Sequence, residues 1–168
     1  MQRRHFLFQT ASLIGLGSLG LKAVAGEKKL GSLQLPPEHW APHLNEAQFD
    51  VLFHEDTERP FSSPLNDEKR VGTFLCAACL NPLFASTTKY DSGTGWPSFY
   101  QPISEQALGT KRDFKLILPR TEYHCARCGG HQGHVFEDGP EPTGLRYCNN
   151  GLALQFVPEG EALPELRS

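Results

Sequence analysis

The sequence lacks an excess of basic residues. Its formal net charge is −3, with 16 lysines and arginines against 19 acidic residues. Three of the basic residues and none of the acids lie in the first 25 positions, so the remainder carries 13 basic and 19 acidic residues, a net charge of −6. Proteins that bind nucleic acids usually present a basic face. The composition therefore argues against a nucleic-acid partner.

The sequence also lacks an apolar run long enough for a confident membrane span. The best candidate, residues 11–21, is only moderately apolar and is interrupted by three glycines, whereas a spanning helix needs about 20 apolar residues. Low-complexity tracts are absent as well. The 168 residues suit one domain preceded by a targeting segment.

Residues 1–25 have the features of an export signal. Arg3 and Arg4 precede the apolar stretch 11–21, and small residues at 23–25 provide a cleavage pattern. Paired arginines before a mild apolar core are typical of the twin-arginine route. We therefore expect export, in a bacterium to the periplasm, without stable membrane insertion after processing. An ordinary secretory signal or an uncleaved anchor is the alternative.

The remaining chain divides into a leader at 26–44, a domain at 45–158 and a loosely ordered tail at 159–168. A helix is predicted at 45–55, because Asn45 and a glutamine three residues later form a capping signature. Abundant glycine and proline favour short strands, which are predicted at 71–76, 114–118, 122–125, 133–136, 145–149 and 152–157. The expected fold is mainly β, with antiparallel sheets and one or two peripheral N-terminal helices.

Four of the five cysteines form two Cys-x-x-Cys pairs, Cys76 with Cys79 and Cys125 with Cys128. Two such pairs are the usual way to surround a tetrahedral zinc with thiolates. Four sulfurs leave no coordination position open for water, which predicts one structural zinc per chain. Two disulfides are the alternative, since exported proteins meet oxidising conditions. A redox-active Cys-x-x-Cys is a third interpretation, but it does not explain why the motif occurs twice.

The fifth cysteine, Cys148, remains outside these pairs. If it lies on a strand, Arg146 and Asn150 point to the same side of that strand. The guanidinium would favour the thiolate and lower the thiol pKa, and Asn150 would offer an amide to a polar substrate group. These neighbours predict a reactive thiol, whereas a buried structural cysteine is the alternative.

Two further segments provide groups that such a thiol site needs. His131 and His134 lie in the glycine-rich stretch 129–134, where two imidazoles could donate protons to a leaving oxygen. Surface or metal-binding histidines are the alternative there. Trp96, in a turn-rich segment, could form an apolar wall for a small methyl group, or it could fill the core.

Three segments together strongly resemble the methionine-R-sulfoxide reductases: SGTGWPSF at 92–99, GHVFEDGP at 133–140 and PTGLRYC at 142–148. The two cysteine pairs fall where the zinc-bearing members have theirs, and the likeness extends over about 45–158. The resemblance implies two antiparallel sheets stapled by a zinc site with four cysteine ligands. It also implies reduction of methionine-R-sulfoxide in proteins or peptides.

The resemblance implies a role for each candidate residue. Cys148 matches the nucleophile, which becomes a sulfenic acid during the reaction, and Arg146 and Asn150 match its flanking partners. His131 and His134 match the histidines that bind and protonate the sulfoxide oxygen. The indole at position 96 matches the wall that receives the S-methyl group of the substrate.

The sequence departs from the family pattern at four positions. Thr94 stands where many members carry a recycling cysteine, so we expect an external thiol, such as a thioredoxin-like protein, to regenerate the enzyme. Gln132 stands where the family usually has an apolar residue, Gly130 where a small residue such as alanine is common, and Gly151 where serine is common. These three changes are expected to affect loop packing or rate.

Two alternative functions are compatible with the same residues. A zinc-scaffolded binding module without redox chemistry would need no accessible, reactive thiol at Cys148. A related thiol enzyme that activates glutathione adducts would not reduce methionine sulfoxide in the absence of glutathione. The chain is expected to act as a monomer.

Overall fold

The computed structural model describes residue 33 and residues 35–114 and 119–168. The predicted signal peptide and the first seven residues of the predicted leader lie outside these residues, as does residue 34. The strand predicted at 114–118 also falls mainly outside them. Its one described residue, Phe114, belongs to no strand and is 72% exposed.

The predicted helix is confirmed as α1, Glu46–His54. Asn45 caps it in the predicted manner: its side chain accepts from the Gln48 backbone N–H at 2.8 Å, and the Gln48 side chain accepts from the Asn45 backbone N–H at 3.1 Å. The helix ends at Glu55, which adopts the left-handed conformation. Among the residues that the structure describes, no helix is long and apolar enough to cross a membrane.

Part of the predicted leader is folded onto the domain. Two short 3-10 helices, Pro37–His39 and Ala41–His43, precede α1. Trp40 lies between them, is completely buried and belongs to the main hydrophobic core. The packed part of the described chain therefore begins before residue 45.

The described residues form nine strands in two antiparallel sheets, which confirms the expected fold class. The strands are β1 (Gly72–Cys76), β2 (Pro82–Ala85), β3 (Lys89–Tyr90), β4 (Ser98–Phe99), β5 (Leu108–Asp113), β6 (Arg120–Cys125), β7 (His131–Phe136), β8 (Arg146–Asn149) and β9 (Leu154–Pro158). A three-stranded sheet has the order β2-β1-β9, and a six-stranded sheet has the order β3-β4-β8-β7-β6-β5.

The strands from β2 to β5 were not predicted. β3 and β4 have two residues each, which is too short for a sequence pattern. β5 carries charged residues and little apolar character, but it pairs with β6 at six consecutive positions. Its extended conformation is therefore imposed by its neighbour rather than by its own composition.

Aromatic side chains fill the space between the two sheets. Phe84 of the three-stranded sheet stacks on Phe99 of the six-stranded sheet, with 4.2 Å between ring centroids, and Phe74 meets Phe99 edge-on at 5.0 Å. Tyr123 and Tyr147 continue this layer, with centroids 5.2 Å apart. Such pairs add about 0.5–1.5 kcal/mol beyond area burial. They hold the two sheets at a fixed separation.

Three more 3-10 helices follow α1, at Pro64–Asn66, Ser86–Thr88 and Gly151–Ala153. The last one separates β8 from β9. The sequence predicted a strand beginning at residue 152, so the prediction placed the start of β9 two residues too early. This interruption bends the chain away from the six-stranded sheet and into the three-stranded one.

The C-terminal tail forms no helix or strand, but it is not loosely ordered as expected. The Arg167 guanidinium donates to the carbonyls of Ala77 and Ala78 at 2.7 and 2.9 Å, and its backbone N–H donates to the Cys79 carbonyl at 3.2 Å. Arg127 donates to the Arg167 carbonyl. The tail is therefore fastened to the turn that contains the first cysteine pair.

Candidate active site and metal cluster

The four paired cysteines meet between the two sheets. Cys76 ends β1 and Cys125 ends β6, while Cys79 and Cys128 lie in the turns that follow. All four are buried, and their sulfurs lie within 4.8 Å of one another. The cluster therefore joins the three-stranded sheet to the six-stranded one.

The sulfur separations fit a tetrahedral metal site. The Sγ atoms of Cys76 and Cys128 are 3.6 Å apart, and those of Cys79 and Cys125 are 3.5 Å apart. A tetrahedron with Zn–S bonds of about 2.3 Å has edges of about 3.8 Å, whereas a disulfide bond is about 2.05 Å long. All five cysteines are free thiols in the structure. The four could therefore hold a metal such as zinc, and the disulfide alternative does not fit these distances.

Cross-strand pairing places the fifth cysteine in a polar row on one face of the six-stranded sheet. Cys148 on β8 lies opposite Ser98 on β4 and opposite His134 on β7. The row continues from His134 to Glu122 on β6 and from Glu122 to Lys111 on β5. Directly opposed residues share a face of the sheet. The thiol, an imidazole and an ion pair therefore lie side by side.

A cavity of about 130 Å³ opens at the Cys148 end of this row. Four of the predicted residues line it: Cys148, His134, Trp96 and Asn150. Gly133 also lines it, and a Cβ atom there would lie 1.9 Å from the Cys148 carbonyl oxygen. Glycine is thus required for β7 and β8 to approach each other at this point.

The two predicted histidines occupy different positions. His134 lines the cavity, whereas His131 is 3% exposed and lies outside the residues that line it. Their ring centroids are 5.5 Å apart. His131 therefore lies on the side of His134 that faces away from the cavity. The sequence did not distinguish the positions of the two histidines.

Each histidine is held by a carboxylate that sequence reasoning missed. His134 Nε2 lies 2.7 Å from Asp113 Oδ2, and His131 Nδ1 lies 2.7 Å from Glu122 Oε1. Burial lowers the pKa of His134, although the bond to Asp113 opposes this effect. Burial also disfavours the Glu122 carboxylate, but hydrogen bonds from His131 and Lys111 outweigh it and hold the Glu122 pKa below its usual range.

Arg146 acts on the Cys148 thiol in the predicted direction, but a larger effect opposes it. Burial raises the pKa of the Cys148 thiol, while the charge of Arg146 and hydrogen bonds from Thr94 and Arg146 oppose it only in part. Arg146 is also engaged elsewhere: it binds Asp138 through two 2.8 Å hydrogen bonds and covers the Phe136 ring at 4.4 Å. Arg146 therefore lowers the thiol pKa as expected, but desolvation exceeds the attraction of the guanidinium and the net shift of the Cys148 pKa is upward.

Glu58 organises the other side of the cavity and was also missed. Its carbonyl accepts from the Trp96 indole N–H at 3.1 Å, and its backbone N–H donates to Asn150 Oδ1 at 3.2 Å. Its carboxylate accepts from the backbone N–H groups of Gly151 and Leu152. Burial raises the pKa of Glu58, and these two hydrogen bonds oppose that effect. No short-range sequence signal marks contacts between segments so distant in the chain.

The departure at Gly151 has a steric explanation. A Cβ atom at this position would lie 1.9 Å from Ser63 Oγ and 2.6 Å from Ser63 Cβ. The space that a serine at 151 would occupy is thus filled by Ser63 from the opposite segment. The Ser63 hydroxyl also accepts from the Leu65 backbone N–H at 3.2 Å.

We expect Gly151→Ser to lower the free energy of unfolding by about 1–3 kcal/mol, the usual cost of overpacking a filled site. Adding Ser63→Gly should recover most of this loss, because it empties the space that the new side chain needs. Urea unfolding of the four proteins in the cycle measures both effects. The Ser63→Gly single variant reports the combined cost of the lost hydrogen bond and of the added backbone freedom. Equal destabilisation by Gly151→Ser with and without Ser63 would contradict this explanation.

We also expect Thr94→Val to slow alkylation of Cys148 by iodoacetamide at a mildly alkaline pH. The Thr94 hydroxyl lowers the pKa of the thiol and so favours the thiolate; an effect the size of a net hydrogen bond, about 0.5–1.5 kcal/mol, corresponds to between about two- and tenfold in thiolate fraction. The difference in alkylation rate between the wild-type protein and Thr94→Val should shrink once the pH exceeds the Cys148 pKa in both proteins. Thr87→Val, at an exposed position, is the control. An unchanged or faster rate in Thr94→Val would refute the assignment.

Comparison with known proteins agrees with this site. A family model described as SelR domain matches residues 44–158. The peptide methionine sulfoxide reductase MsrB of Saccharophagus degradans is 50% identical over 123 residues, covering 73% of this chain and 92% of that protein. The proteins of the same name from Pseudomonas putida and Methanosarcina barkeri are each 51% identical, over 74% of this chain and over 94% and 87% of their own lengths. The chain therefore belongs to the SelR-domain family of peptide methionine sulfoxide reductases.

Proposed function

We propose that this protein reduces methionine-R-sulfoxide in proteins or peptides to methionine, with Cys148 as the nucleophile. The observation that carries the proposal is the cavity in which the Cys148 thiol, the His134 imidazole and the Trp96 indole meet. The names of the relatives indicate the same reaction class. The reaction repairs oxidised methionine.

In the proposed step the Cys148 sulfur attacks the sulfoxide sulfur. The sulfoxide oxygen is transferred to Cys148 and takes up a proton, so that the thiol becomes a sulfenic acid and methionine leaves. Methionine gains two electrons and Cys148 loses two, and the proton released by the thiol balances the one taken up by the oxygen. His134, directly across from Cys148, is the group placed to pass this proton.

The buried pair behind His134 supports the same role. His131 and Glu122 are each 3% exposed at their side chains and lie 2.7 Å apart, so the Glu122 carboxylate fixes the orientation of the His131 ring. His131 thereby supports the neighbouring His134 rather than contacting the substrate. This division of roles modifies the expectation that both histidines bind the sulfoxide oxygen.

Selection of one epimer requires three fixed contacts. The Trp96 indole provides an apolar wall for the methyl group, His134 and Asn150 face the oxygen, and Cys148 faces the sulfur. Exchanging oxygen and methyl would place the polar group against the indole and leave hydrogen-bonding groups unpaired. Such unpaired buried groups cost enough to reject a substrate.

Regeneration of Cys148 requires a thiol from outside the chain. The sequence has five cysteines, and the other four form the metal cluster. Thr94, which lowers the pKa of the Cys148 thiol, has no sulfur with which to resolve a sulfenic acid. A thioredoxin-like protein would supply the missing thiol and carry away the oxidising equivalents.

The metal of the cluster is proposed to be zinc, one per chain, in a purely structural role. When bound, it would stabilise the fold and would offer no open coordination position to a substrate. Cys76, Cys79, Cys125 and Cys128 would hold it. The chain is proposed to act as a monomer.

With dithiothreitol as reductant, the protein should consume only the R epimer and stop near half of a racemic methionine sulfoxide mixture. Cys148→Ser should abolish the reaction, because a hydroxyl at this position is a far weaker nucleophile. Chiral chromatography of the remaining sulfoxide measures selectivity, and circular dichroism verifies that the variant is folded. Consumption of both epimers, or full activity of the serine variant, would overturn the proposal.

The proposed site of action is outside the cytoplasm, reached by the twin-arginine route and, in a bacterium, located in the periplasm. The support is the paired arginines and the mild apolar core of residues 1–25, which lie outside the described residues. Replacing Arg3 and Arg4 together by lysine should leave the precursor in the cytoplasm, whereas Lys28→Arg should be exported. Fractionation and immunoblotting separate these outcomes. Normal export of the double variant would indicate the general secretory route.

A further inference from the structure

Gln132 is the least expected residue of the site. It is completely buried, although its amide is polar. A buried amide without partners costs several kcal/mol. Its hydrogen bonds therefore indicate why the chain tolerates it.

The side chain of Gln132 is hydrogen-bonded both to the metal cluster and to the strand of Cys148. Gln132 Nε2 donates to the sulfur of Cys76 at 3.5 Å, and Gln132 Oε1 accepts from Asn149 Nδ2 at 3.3 Å. Asn149 is also completely buried. Its Oδ1 accepts from the Tyr123 hydroxyl at 2.8 Å, which fixes the orientation of the amide.

The Gln132 backbone holds the residue that follows Asn149. Its carbonyl accepts from the backbone N–H of Asn150 at 2.8 Å and from the Asn150 side-chain amide at 3.2 Å. Asn149 and Asn150 come directly after Cys148. One residue thus contacts a sulfur of the metal cluster and both residues that follow the nucleophile.

We infer that Gln132 and Asn149 form a polar bridge that couples the metal cluster to the strand of Cys148, and that both act as positioning residues. Neither side chain needs to touch the substrate for this role. Buried polar networks whose members are all satisfied select one geometry, because each alternative arrangement leaves a group unpaired. The bridge therefore fixes the positions of Asn150 and Cys148 relative to the four cysteines of the metal cluster.

The four cysteine ligands fit a tetrahedral ion, and an amide N–H bonded to one of their sulfurs acts on any ion that they hold. Cadmium is a suitable probe, since the chemical shift of its NMR-active isotope responds to hydrogen bonds at its thiolate ligands. The full chain is loaded with cadmium, and native mass spectrometry verifies one ion per chain. The NMR resonance then reports on the bridge without any reference to activity.

Asn149→Leu is the decisive variant. Within the described part of the chain, no hydrogen bond joins Asn149 to a cysteine of the cluster, and yet its loss should shift the cadmium resonance through Gln132. Gln132→Leu should also shift it and should lower kcat/KM of the zinc form about tenfold, as changes around metal ligands commonly do. In the double variant the shift should equal that of Gln132→Leu alone. Without Gln132, no chain of hydrogen bonds connects the side chain of Asn149 to the Cys76 sulfur.

Asn81→Leu is the matched comparison. Asn81 donates its amide to the Cys125 sulfur at 3.6 Å and to the Ala107 carbonyl at 3.4 Å. Both leucine variants lose one amide-to-sulfur hydrogen bond, but Gln132→Leu also disturbs the strand of Cys148. The loss in kcat/KM should therefore be larger for Gln132→Leu than for Asn81→Leu.

The proposal is overturned by an unchanged cadmium resonance in Asn149→Leu, by shifts that add fully in the double variant, or by equal losses of kcat/KM in Gln132→Leu and Asn81→Leu. If Asn149→Leu does not fold, Tyr123→Phe removes one hydrogen bond to Asn149 at no cost in volume and should shift the resonance in the same direction. The kinetic part rests on the proposed role of Cys148. Full activity of Cys148→Ser would refute that role, whereas the cadmium result is independent of it.

Discussion

The four-sulfur cluster is the constraint on which the rest of the structure depends. It joins the end of β1 to the end of β6, and the turn after β6 leads directly into β7, which carries His131, Gln132 and His134. Any metal held there adds its binding free energy to the stability of the fold. A fold of short strands gains most from such a tie, because a two-residue strand such as β3 contributes little cohesion by itself.

Beyond the cluster, the residues of the six-stranded sheet are positioned by strand pairing rather than by their own β propensity. β7 pairs with both β6 and β8, so the position of His134 fixes those of Glu122 and Cys148. The thiol, the imidazole and the carboxylate come from three different strands. Their mutual distances are therefore properties of the sheet register, and a slip of one residue would turn all of them to the other face.

Features that depend on residues close together in the sequence could be predicted, whereas features that depend on the pairing of distant segments could not. The cap at Asn45 involves residues three positions apart, and the two cysteine pairs carry their own spacing, so both were recognisable. The partners Glu58, Asp113 and Glu122 were not, because a single charged residue in a strand or loop has no signature until its distant neighbour is known. β5 was missed for the same reason, since its conformation comes from β6.

The most informative effect that the sequence did not reveal is the burial of Cys148. The sequence placed a guanidinium beside the thiol, and the structure agrees, but burial governs the net result and raises the thiol pKa. Thiolate character and exposure set the rate at which peroxides oxidise a cysteine. A half-buried thiol with a raised pKa is therefore less readily oxidised at rest. In the proposed reaction the oxygen of the substrate takes the proton, so the same burial that slows unwanted oxidation would couple proton loss to sulfoxide binding.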